Sequence, residues 1–185
     1  MPPKVKITKE DIINTAIDVV RQSGTDAINA RNIAAQLGCS TQPIFSHFAT
    51  MDELHFAVLK KADELYTKYL TREIAEEKFP AYKASGIAYI RFAKEEKELF
   101  KLLFMRDRTD EKNQERPVSN NLVNDLVHSA TGLSGEDAKL FHFKMWVCVH
   151  GIATMIATGF LELDWDIISK TISDTYIGIK KQCEE

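Results

Sequence analysis

Cysteine is scarce in this chain of 185 residues: Cys39, Cys148 and Cys183 are too few and too scattered for a disulfide framework or a CxxC site. That pattern fits a reducing cytosol. Eight glycines and five prolines are few for the length and β-branched alternation is hard to find, which points to helices, while 44% hydrophobic and 28% charged residues exclude a fibrous or disordered protein. The start, MPPKVKITKED, has no apolar signal core. The longest apolar run, residues 145–161, is broken by His150, Thr154 and Thr158, so a buried helix is expected there rather than a membrane span. Charge of one sign is lacking too: a net −3 gives no overall attraction to nucleic acid. GxxxxGK[ST], GxSxG and HExxH motifs are missing, and the offsets of His142, Cys148 and His150 do not place them on one helix face as metal ligands. No enzyme, cofactor or metal is expected.

What remains is apolar residues recurring at three and four, the mark of an all-α chain long enough to bury a core. Residues 29–48, NARNIAAQLGCSTQPIFSHF, read as two short helices joined by a tight turn. Ile33, Ala34 and Leu37 share a face, and Gly38 stands where a helix can end in a left-handed conformation. Ser40 is expected to cap the second helix, Pro43 fits its first turn, and Ile44 and Phe48 give it a buried face. Thr41, Gln42, Ser46 and His47 are left pointing outward. Short polar side chains near the start of such a helix reach base edges in the major groove of double-stranded DNA, and Gln42, which can pair bidentately with adenine, is the expected base reader. Up to residue 55, however, Lys4, Lys6, Lys9, Arg21 and Arg31 face Glu10, Asp11, Asp18, Asp26, Asp52 and Glu53, leaving −1. Phosphate contacts are therefore expected from Lys6, Lys9, Arg31, hydroxyls such as Thr8 and Thr50, and helix N-termini, not from a basic field.

A capping box of Thr8 and Asp11 opens the first helix, which runs to about Ser23 with Ile13, Ala16, Ile17 and Val20 inward and Gly24 at its end. Residues 1–50 form the expected helix-turn-helix domain. A second capping box, Thr50 and Glu53, opens a long linking helix, about 51–78, with Leu54, Val58, Ala62, Leu65 and Tyr69 on its apolar face. It begins a helical-bundle ligand-binding and dimerisation domain over 51–185, for about nine helices in all. Pro80 marks the next break, and residues 106–117 are charged, aperiodic and read as an exposed loop. Ser134 is expected to cap a helix apolar nearly all round from Leu140 to Leu161 and buried on every side. The last helix, from Trp165 to about Gln182, keeps Ile168, Ile172, Tyr176 and Ile179 on one face. With Ile152, Met155 and Ile156 these form the expected homodimer interface, two copies making a four-helix bundle. Tyr89, Phe92, Phe100, Phe104 and Met105, with Phe143, Trp146 and His150, are expected to line a pocket for a small apolar or aromatic ligand. Gly151, costing a helix about 1 kcal/mol relative to Ala, points to a close approach by another helix or a ligand.

This order of features resembles the TetR family of transcriptional regulators. The residues that carry the likeness are Asn29 to Ala34, Leu37 to Ser40, Ile44, Phe45 and Phe48, and Asp52 to Leu54; Trp146, His150 and Gly151, as W-x-x-x-H-G, look like one C-terminal type of the family. The resemblance implies a cytoplasmic homodimer, usually a repressor, that binds a palindromic operator and releases it when a small ligand binds. It places Phe45 at the DNA, where the family often has a tyrosine that bonds phosphate, and it puts Ala49 and Met51 where lysines are common. The alternative from another class is a helical dimeric small-molecule-binding or interaction protein with weak or lost DNA binding.

Overall fold

A computed structural model of the chain describes residues 7–107 and 118–184. Lys4, Lys6 and residues 108–117 of the expected loop lie outside the described residues. Among the described residues there are nine α-helices and one 3₁₀ turn, Thr25–Ala27, with no strand.

The first helix, α1 (Lys9–Ser23), opens as its sequence dictates. The Asp11 N–H donates to Thr8 Oγ1 at 3.1 Å, and the Thr8 N–H donates back to the Asp11 carboxylate at 2.8 Å. Those bonds hold the Asp11 carboxyl below the usual carboxylate range. The helix ends at Gly24, whose φ of 79° suits a residue without Cβ. Its inward stripe is Ile12, Ala16, Ile17, Val19 and Val20. Ile12 takes the core place expected of Ile13, which is half-buried, because one position is a rotation of about 100° around the axis.

Two compact units divide the chain. The first takes residues up to Asp63 together with Glu98–Asp107. It holds α1, α2 (Ala30–Gln36), α3 (Gln42–His47), the first half of α4 (Met51–Ala75) and nearly all of α6 (Lys97–Phe104). Leu99, Phe100, Leu102 and Leu103 bury α6, and the Glu98 carboxylate closes on Gly24, where a Cβ would stand 3.3 Å from it. At the start of α4 the Glu53 N–H donates to Thr50 Oγ1, while the Glu53 carboxylate accepts from Ala49 N–H, one residue earlier than a capping box requires. The buried stripe of α4 is Leu54, Val58, Ala62, Tyr66, Leu70 and Glu73. Leu65 and Tyr69 are only half-buried, since successive steps of four carry the stripe to Tyr66 and Leu70. The helix stops at Ala75, short of 78: Glu77 turns left-handed with φ 51°, and Pro80 disfavours a helical Phe79.

The second unit takes Glu64–Lys97 and the helices from α7 onward: α5 (Ala81–Glu95), α7 (Val118–Thr131), α8 (Gly135–Ala157) and α9 (Trp165–Glu184). Its centre is α5, which packs against α7, α8 and α9 and is buried nearly all round. From the second half of α4, Tyr66 and Tyr69 set their rings against Phe92 at 5.4 and 5.3 Å between centroids. Glu73, 3% exposed, accepts from Arg91 Nε at 2.8 Å, and the Arg91 guanidinium lies 4.8 Å over the Trp165 ring.

Two expectations for α8 fail. Ser134 stands at its N-cap without a side-chain bond, and the helix is buried on one face only, through Phe141, Met145, Val149, Ile152, Ala153, Ile156 and Ala157. Leu140, Phe143, Trp146 and Val147 are exposed. By length and composition α8 is apolar enough to cross a membrane; its buried stripe packs against α5 and α9 instead.

Candidate nucleic-acid and ligand sites

The turn between α2 and α3 is built from local bonds. Asn29 Oδ1 caps α2 by accepting from the N–H of Arg31 and Asn32 at 3.1 and 2.9 Å. Gly38 follows with φ 65°, which lets the Cys39 N–H reach back to the Ala34 carbonyl at 3.0 Å and closes the helix. Thr41, not Ser40, occupies the N-cap of α3, and its side chain makes no capping bond, because its backbone is already helical at φ −72°, ψ −12°. Pro43 sits in the first turn, and Ile44 and Phe48 are buried. Lys9 Nζ rests 4.9 Å over the Phe48 ring, tying α1 to α3.

The side chains expected to face DNA do not behave alike. Gln42 is exposed and Thr41 half-buried. Ser46 is exposed, and its Oγ donates to the Pro43 carbonyl one turn back at 2.7 Å. His47 is half-buried, and its Nε2 donates to the Ile7 carbonyl at 3.0 Å, fastening the segment before α1 to α3. The Thr8 hydroxyl donates to Asp11 within the cap, whereas Thr50 Oγ1 accepts and keeps its proton for another partner. Arg31 and Lys9 are exposed. Phe45 is exposed as well, at 52%. Beside the turn lies an open groove of about 760 Å³, lined on the α1 side by Asp11 and Asp18. Their negative charge disfavours phosphate there, although Asp18 is paired with Arg21 at 3.2 Å.

In the second unit two tyrosines one heptad apart on α5 meet two histidines on α8. The Tyr82 hydroxyl and His142 Nδ1 share a hydrogen bond of 3.0 Å, and the Tyr89 hydroxyl and His150 Nδ1 one of 2.8 Å. Burial raises both phenols far above their usual pKa and lowers both imidazoles below theirs. Trp146 stacks on His150 at 4.6 Å, and Phe143 lies 6.3 Å from Trp146. The structure thus gathers Tyr89, Phe143, Trp146 and His150 and buries Phe92 beside Tyr66. Phe100, Phe104 and Met105 belong to the first unit. Sequence reasoning missed Tyr82 and His142, for which the seven-residue spacing of the tyrosines was the only signal.

The lowered imidazoles fix a pH dependence. Above the unfolded histidine pKa, about 6.5, both states carry neutral imidazoles and the full stability is present. Below it the unfolded chain binds protons first, so stability falls as pH drops through the lowered folded values. Melting temperature should therefore decline between about pH 7 and pH 5. A His142→Gln, His150→Gln double variant should decline less over that interval; an equal decline would remove the histidines from the account.

Residues 82–171 match the family model for the tetracyclin repressor-like C-terminal domain, a span that contains both tyrosine–histidine pairs. Over those residues the chain is a tetracyclin repressor-like C-terminal domain. Solved TetR-type structures share its fold over nearly the whole length. A TetR family member from Streptomyces coelicolor A3 has a TM-score of 0.67 at 19% identity, covering 90% of this chain and 96% of that one. A TetR-like transcriptional regulator from Rhodococcus sp. RHA1 has a TM-score of 0.63 at 15% identity, covering 98% and 97%. The multidrug binding protein EbrR, solved with imidazole, has a TM-score of 0.59 at 17% identity, covering 90% and 88%. No curated protein matches the chain.

Proposed function

We propose that this chain is a cytoplasmic, TetR-type ligand-responsive transcriptional repressor that binds a palindromic operator as a homodimer and leaves it when a small apolar ligand binds. The observation that carries this reading is the helix-turn-helix of α2 and α3, with Gln42 exposed on the second helix. Domain roles follow the expected division, DNA reading up to residue 50 and ligand binding and dimerisation beyond it. Arg31, Lys9 and Thr50 supply phosphate contacts, together with Lys6. Selection from a random duplex pool should return a palindrome whose log affinity falls linearly with log salt. Gln42→Ala should relax preference at one base pair per half-site, worth about 1–3 kcal/mol of discrimination. An unchanged preference would remove Gln42 as reader.

For the ligand, Tyr89, Trp146 and His150 offer aromatic walls and polar groups. One turn beyond His150, the buried Thr154 hydroxyl has no hydrogen-bond partner among the described residues, as expected of a group that a bound molecule satisfies.

For the second copy we propose a face that keeps Met155 of the expected set but not its isoleucines. Ile152, Ile156, Ile168 and Ile172 are buried by their own chain, and Tyr176 donates inward to the Ala130 carbonyl at 2.8 Å. Ile179 is half-buried. The available strip runs along α8 through Leu140, Phe143, Val147 and Gly151 to half-buried Met155, with Ile167 and Ile177 exposed on α9. Nothing within 4 Å would meet a Cβ at Gly151, which leaves room for a partner helix.

A further inference from the structure

We infer that Phe45 is a specificity-determining residue that reads the C5-methyl of a thymine in each half-site, beside the base pair that Gln42 reads. The inference rests on the DNA-binding reading and names what that interface recognises. It follows from which groups on α3 are already committed. Ser46, although exposed, donates its hydroxyl proton to the Pro43 carbonyl, and half-buried His47 donates to Ile7, so both of those protons are committed within the chain. Ile44 and Phe48 are core. Gln42 and Phe45 remain exposed, three positions apart and therefore on one face.

Chemistry then narrows what each can recognise. The Gln42 amide offers a donor and an acceptor, the complement of adenine N7 and N6. The Phe45 ring has neither, so it cannot bond a phosphate oxygen or a polar base edge. The thymine methyl is the one apolar group on the major-groove edge of the four bases, and it meets an aromatic ring without leaving a polar atom unpaired. A ring 52% exposed on a reading helix therefore selects thymine and discriminates against cytosine, whose edge presents an amino group. The half-site core should accordingly be rich in A·T pairs.

The test uses the full chain and the duplex that selection returns, with each thymine of the half-site replaced in turn by uracil, which differs only by the methyl. One position per half-site should weaken binding about fourfold, and both half-sites together about fifteenfold. Phe45→Ala should bind thymine and uracil duplexes equally, and Phe45→Leu should retain part of the difference. Uracil without effect at every position, with the duplex still bound, overturns the role of Phe45 and leaves the DNA reading intact. A uracil effect that persists in Phe45→Ala overturns it too. If no duplex is selected, the DNA reading itself falls and this inference with it. The wild-type measurement needs no variant to fold, and a melting curve checks Phe45→Ala.

Discussion

Arg91→Ala is expected to lower the unfolding free energy by about 3 kcal/mol, read from urea transitions at neutral pH. Glu73 is buried, and its carboxylate is held by Arg91 Nε at 2.8 Å with a second, longer bond from the terminal nitrogen at 3.4 Å. Removing the guanidinium strands a charge where water cannot replace it, and it also strips a cation from the face of Trp165. The charge accounts for most of the loss. Glu73→Gln placed on top of Arg91→Ala should therefore recover a large part, because an amide is cheaper to bury than a carboxylate. Arg91→Lys should recover less, since an ammonium cannot reproduce the fork. If the double variant is no more stable than Arg91→Ala, packing against Trp165 is the dominant contribution and the ion pair is not.

Val147→Glu is expected to convert the proposed homodimer to monomer and weaken binding to the proposed palindrome by a hundredfold or more, about what is lost when two linked half-site contacts become independent. Val147 is 52% exposed at the middle of the outward strip of α8, so the substitution leaves the buried stripe of the helix in place. Binding to an isolated half-site should not change. Sedimentation and gel-shift titrations separate these outcomes. A variant that stays dimeric would place the interface elsewhere.

The fold was legible wherever the signal was local. Thr8 and Asp11, Asn29, Gly38 and Pro43 act within a few residues of themselves, and the helix ends follow from them. The errors arise where a partner is distant in sequence. His47 looked free because Ile7, which holds it, lies forty positions earlier. The apolar periphery of α8 looked buried because periodicity cannot separate a face covered by the same chain from one left for another, and the same ambiguity misassigned Ile152, Ile156, Ile168 and Ile172. Leu65 and Tyr69 were chosen one position from the true stripe because a small drift in helical phase accumulates along a long helix. At the candidate site, Gln42 was visible from helical position and Phe45 only through the family resemblance, whereas the tyrosine–histidine pairs needed the register of α5 on α8.

The outward strip on α8 also bears on gene dosage. While most copies are single, the population of paired chains grows as the square of their number, so doubling expression quadruples the species able to span both half-sites. Promoter occupancy by the proposed repressor would then respond to protein abundance more steeply than one-to-one binding allows. For the proposed repressor, halving the intracellular concentration would then lower operator occupancy more than in proportion, without any ligand present.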